Sequence, residues 1–92
     1  MITEKIGLPA MLEQTAEECT ELAHACQKLA RIYRGNNPTP VTERDASDAI
    51  EEETADVMIC VDELTRAGVI QLPTMRVRMQ KKLDRARERL SC

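Results

Sequence analysis

Aromatic side chains are almost missing from this chain: it has no Trp, no Phe, and Tyr33 is its one ring. The core must therefore come from Leu, Ile, Val, Met and Ala, and 42% hydrophobic content over 92 residues suits one small domain spanning 1–92. No alternating run is long enough to read as a strand, and no internal repeat or low-complexity tract is present. There is no membrane-length apolar run and no signal-peptide core, so the expectation is a cytoplasmic protein with no membrane partner. A surplus of cations is lacking too: the net charge of -3 and pI near 5.2 argue against a nucleic-acid partner, whose backbone selects for Lys and Arg. Cys19, Cys26, Cys60 and Cys92 have no C-x-x-C spacing. The first three lie on or beside apolar stripes, which predicts reduced, buried thiols rather than a disulfide or metal set. A chain this short, without disulfides or a ring-rich core, gains stability by self-association, and at least a homodimer is expected.

What the chain does have is helical periodicity. Leu8, Leu12, Thr15, Cys19, Leu22, Cys26, Leu29 and Tyr33 recur at alternating steps of four and three, the stripe of one long helix. Gly35-Asn36-Asn37-Pro38-Thr39-Pro40 cannot continue it and predicts a loop. The next helix is expected to start near Thr42 or Ser47; Thr42, with Asp45 three residues on, is a capping signal, and Ala46, Ile50, Thr54, Val57, Val61 and Leu64 carry a second stripe up to Gly68. Leu72-Pro73-Thr74 reads as a turn with Thr74 as cap, followed by a third stripe through Met75, Met79, Leu83, Ala86 and Leu90. The fold class is all-α, a helical hairpin plus a third helix. Its uncovered stripes predict a four-helix-bundle core completed by dimerisation.

Two acidic pairs stand out against this background. Glu18-x-x-Glu21 and Glu53-x-x-Asp56 each stack on one helix face, each one residue before a stripe position. Antiparallel packing of the two stripes predicts four converging carboxylates, a set that repels itself unless a cation sits among it. Oxygen-only donors suit Mg²⁺, or Mn²⁺, with Glu17 and Glu52 beside them as further ligands or as hydrogen-bond partners of ligands. The competing reading is two solvated helix faces, since 32% of the chain is charged. The shared offset of both pairs, and the absence of interleaved Lys, favour convergence. The stretch from Arg76 to Arg89 is strongly basic; Lys82 and Arg85 share a face there and are the candidate phosphate contacts.

Glu17-Glu18-Cys19-Thr20-Glu21 followed by Glu53-Thr54-Ala55-Asp56 resembles the E-E-x-x-E and E-x-x-D signature of the MazG-like all-α nucleoside triphosphate pyrophosphohydrolases. The likeness extends to the apolar run Val57–Val61 and the basic last helix. It implies a Mg²⁺-dependent hydrolase that cleaves a nucleoside triphosphate to the monophosphate and pyrophosphate. Glu18, Glu21, Glu53 and Asp56 would be its metal ligands, with Glu17 adjacent. The chain departs from the pattern in a long stretch between the acidic pairs and in the lack of a clear match to the family's Lys and Asn near the phosphates. Nothing in the spacing selects a base. Two rivals remain. Glu21-x-x-His24 has the step used by di-iron carboxylate bundles, which points to a ferritin-like protein. The stripes alone would serve a non-enzymatic helical interaction module.

Overall fold

The computed structural model describes residues 1–35 and 40–91, and every regular element among them is helical. In chain order these are α1 (Ile2–Ile6), α2 (Leu8–Arg34), α3 (Glu43–Arg66) and α4 (Leu72–Leu90). The long stripes of the sequence become α2, α3 and α4, whereas α1 has no periodic signal of its own because it makes little more than one turn. Gly7, at φ 89°, turns the chain from α1 directly into α2.

The ends of the long helices follow local chemistry. α2 stops at Gly35 in the left-handed region, where its N–H donates to the Arg31 and Ile32 carbonyls and uses acceptors the last turn would leave open. α3 starts at the expected cap: Thr42 Oγ1 accepts from the Asp45 N–H at 3.1 Å. The intervening loop residues 36–39 lie outside the described residues, as does Cys92. Thr74 is not a cap. α4 begins two residues earlier at Leu72 with Pro73 in its first turn, where a missing N–H costs nothing. Gln71 precedes it and donates its side-chain amide to the Gly68 carbonyl.

α2 and α3 pack along their length as an antiparallel hairpin: Met11 meets Cys60 and Leu64 at one end, and Tyr33 donates to Glu43 at the other. The seam runs through Met11, Thr15, Glu18, Leu22, Ala25, Leu29 and Ile32 on α2, and through Ala46, Ile50, Glu53, Val57, Cys60 and Leu64 on α3; each of these is buried or half-buried. Half of the expected α2 stripe is therefore displaced by one residue. Leu12, Cys19, Cys26 and Tyr33 lie on the outer shoulder of α2, and on α3 Thr54 is exposed while Val61 is half-buried at the edge of the seam. Cys60 is the buried thiol; Cys19 and Cys26 are free and exposed, contrary to the reading of all three as core. A sequence reading places Cys and Thr inward in preference to Glu, yet Glu18 and Glu53 take those seam positions.

α1 closes one end of the hairpin through a buried hydrogen-bonded carboxylate. Glu63 Oε1 accepts from both the backbone N–H and the hydroxyl of Thr3, each at 2.8 Å. Two charge-assisted bonds satisfy a carboxylate that is only 5% exposed. They hold its pKa below the ordinary glutamate value, assisted by the N-terminal ammonium and Arg66 and opposed by burial. α4, by contrast, has no buried residue and no extended packing on the other helices. The radius of gyration is 16.7 Å, where a compact chain of this length measures about 12 Å.

Candidate metal centre

Glu18 and Glu53 face each other because they occupy seam positions on opposite helices, and Asp56 follows Glu53 by three residues on the same face. One carboxylate oxygen from each of Glu18, Glu53 and Asp56 lies within 4.8 Å of the others. Glu18 and Glu53 are half-buried and Asp56 is exposed, so the group forms a shallow acidic notch in the hairpin, open to solvent on one flank. Gln14, one turn before Glu18, donates its amide to Glu18 Oε1 at 2.8 Å and holds that carboxylate on the notch side.

The electrostatics match the crowding. Burial raises the pKa of Glu53 above its ordinary value of 4.5, and the charges of Asp56, Glu18, Glu21 and Glu52 raise it further. Glu53 thus resists ionising beside its neighbours. A proton relieves that repulsion, and so would a hard divalent cation, for which three carboxylate oxygens within 4.8 Å are a suitable donor set with waters filling the remaining positions.

The other candidate residues fall into distinct places. Glu21 is exposed and outside the trio, but near enough for its charge to act on Glu53. Glu17 is exposed on α2, in a shallow cleft with Ala16, Thr20 and Glu21. His24 is exposed and does not join the carboxylates, so the Glu-x-x-His step builds no shared site with the α3 acids. Lys82 and Arg85 line a cleft of α4 together with Thr74, Val77, Arg78 and Lys81. No α4 residue lines the cavity at the acids, so within one chain the candidate phosphate contacts Lys82 and Arg85 do not share that cavity with them.

That cavity, of about 370 Å³, was not read from the sequence. Glu18 and Asp56 form its polar rim, while Ile2 and Ile6 of α1, Met11 and Ile59 give it an apolar wall. Placing the seam at Glu18 and Glu53 instead of Cys19 and Thr54 would have brought Gln14 and Ile59 to the same flank; α1's contribution carries no sequence signal. Compared with family models, curated proteins and solved structures, the chain matches none.

Proposed function

We propose that the chain is a metal-dependent nucleotide pyrophosphohydrolase of the MazG-like kind, converting a nucleoside triphosphate and water to the monophosphate and pyrophosphate. The observation that carries this reading is the approach of Glu18, Glu53 and Asp56 to within 4.8 Å across two helices, at the rim of a cavity with an apolar wall. A cluster that destabilises its own ionised form is suited to a Mg²⁺ or Mn²⁺ ion, and the cavity beside it has room for the uncharged end of a phosphate ester.

In this reading Glu18, Glu53 and Asp56 hold the ion, and Gln14 fixes the Glu18 carboxylate. When bound, a divalent cation neutralises the phosphates and acidifies a water. Glu21, close by yet outside the trio, is the carboxylate left to accept that water's proton, with Glu17 behind it. Ile2, Ile6, Met11 and Ile59 shield the substrate's non-phosphate end. The absence of histidine from the carboxylate group is what sets this reading above the di-iron one.

Self-association belongs to the same proposal. The outer shoulder of α2 presents Leu12, Ala16, Cys19, Ala23, Cys26, Ala30 and Tyr33, all exposed and none charged, and Met58 of α3 is 59% exposed. Small residues between larger apolar ones let another helix pair approach closely, the arrangement of a four-helix core shared by two copies.

The test is pyrophosphate release from a panel of ribo- and deoxyribonucleoside triphosphates with Mg²⁺ or Mn²⁺. Glu53→Gln and Asp56→Asn are each expected to lower kcat/KM by about 100-fold or more, as expected for lost metal ligands. No release from any nucleotide, or unchanged rates in both variants, rules the proposal out.

A further inference from the structure

α4 differs from the rest of the chain in both charge and packing. It carries most of the Lys and Arg, with only Asp84 and Glu88 as acids, so the overall charge of -3 combines a basic helix with a strongly acidic hairpin. Asp84 is engaged by the Gln80 amide at 2.9 Å, and among the described residues neither Lys82 nor Arg85 forms an ion pair with a carboxylate. Helices in proteins draw most of their stability from packing of an apolar face, and beyond the half-buried Met75 that face of α4 is open here: Met79 is 52% and Leu83 48% exposed.

The accessible area shows how much cover is missing. The chain exposes 7159 Å², against about 5,400 Å² for a compact monomer of its mass, an excess of about 1,800 Å². A stable interface hides about 800 Å² on each partner, so the excess is enough for two contact regions of that size per chain.

Register specifies how the helix would lie. Arg78, Lys82, Arg85 and Arg89 each fall one residue before an apolar position, Met79, Leu83, Ala86 and Leu90. Glu21 and Asp56 stand in the same relation to Leu22 and Val57. Leu22 and Val57 lie in the hairpin seam with Glu21 and Asp56 exposed at its edge, so a helix laid along that edge through its apolar stripe presents its basic shoulder, Lys82 and Arg85 included, to the acids.

We propose that α4 docks on a second copy of the chain, its stripe covering the hairpin flank and its Lys82 and Arg85 standing over the notch formed by Glu18 of the partner subunit, Glu53 of the partner subunit and Asp56 of the partner subunit. Two-fold symmetry makes the exchange reciprocal, so each acidic notch is completed by cations in trans. Opposite charges at that spot steer the two copies together, and the same cations meet the oxygens of a bound triphosphate. The phosphate role rests on the hydrolase reading above; the docking rests on charge, register and area.

Two measurements separate these. In the first, Asp56→Asn protein, which keeps α4 intact, is mixed with Lys82→Ala/Arg85→Ala protein, which keeps the acids intact, under subunit exchange. Each is expected to be inactive alone, and random pairing should restore about a quarter of wild-type activity through mixed dimers with one complete site. A mixture no more active than its components, with mixed dimers verified by native mass spectrometry, overturns the trans arrangement. Because α4 has no buried residue, its double substitution spares the hairpin, which circular dichroism checks. In the second, isotopically heavy and light wild-type copies are mixed and treated with a zero-length carbodiimide cross-linker, a readout that needs no activity. Heavy-to-light links from Lys82 to Glu52, Glu53 or Asp56 are expected, and links confined to single copies overturn the docking even if nucleotides are hydrolysed.

Discussion

Glu63 and Glu53 are two glutamates of α3 with opposite electrostatic fates. Glu63 is bonded twice by Thr3, and its pKa falls; Glu53 is half-buried among carboxylates, and its pKa rises. For Glu63 the folded state binds fewer protons than the unfolded state, so its contribution is present above the ordinary value of 4.5 and is lost as pH falls through its lowered value. Glu63→Ala leaves the Thr3 donors without a partner and releases α1, and urea unfolding at pH 7 is expected to show a loss of about 1–3 kcal/mol. For Glu53 the sign reverses. The folded state binds the extra proton, so the contribution of Glu53 to metal-free stability is fully present below 4.5 and is lost as pH rises from there through the raised value. Across that window the melting temperature of the wild type should fall relative to that of Glu53→Gln, and added Mg²⁺ should restore the wild-type loss above the window. Equal slopes in the two proteins, with no response to Mg²⁺, would remove the charge cluster as the cause. Three of the four acids, Glu18, Glu53 and Asp56, come together as their type and spacing suggest, whereas Glu21 stays outside the group. Thr3 was not legible, since its role depends on a partner sixty residues away.

At the scale of elements, the turn after α3 sets where α4 goes. Gly68 has φ 84° with nothing within 4 Å of where a Cβ would stand, so the demand on this position is conformational and not steric. Val69 and Ile70 then donate to the Leu64 carbonyl, and Ile70 packs on the Met11, Cys60 and Leu64 cluster. Gly68→Ala should therefore cost about 1–2 kcal/mol, the penalty for a left-handed L residue, without changing the core. Thermal unfolding measures it, and a stability within error of wild type would show that the turn relaxes freely. The helices themselves were readable because steps of four and three mark a buried stripe. The register differs by one residue at Cys19 and Cys26 because α2 is apolar over two adjacent faces: the seam, and a shoulder the single chain leaves open. Periodicity reports that a face is apolar; it does not say whether the cover is α3 or another molecule.

The whole molecule is extended for its length, at 43 × 40 × 17 Å, with its hairpin shoulder and its last helix both uncovered. Covering Leu12, Tyr33 and Met58, at 44%, 64% and 59% exposed, gains about 25 cal/mol per Å² of apolar area, so an interface of ordinary size offsets the entropy of association. Static light scattering at micromolar concentration is accordingly expected to give about twice the 10.4 kDa chain mass or a higher multiple. Charges placed on the shoulder distinguish this contact from the α4 contact. Ala23→Glu with Met58→Glu leaves the seam and the acidic notch untouched, because both positions are exposed in the single chain. The double variant should lose the shared four-helix contact and keep its helical circular dichroism. Its particle mass at micromolar concentration, and the rise of its melting temperature with protein concentration, should both be smaller than in the wild type, with α4 docking as the contact that remains. A wild-type particle of 10.4 kDa that unfolds cooperatively at the same temperature from micromolar to millimolar concentration would mean that the exposed shoulder and α4 are stable without cover, and the shared four-helix core would have to be abandoned.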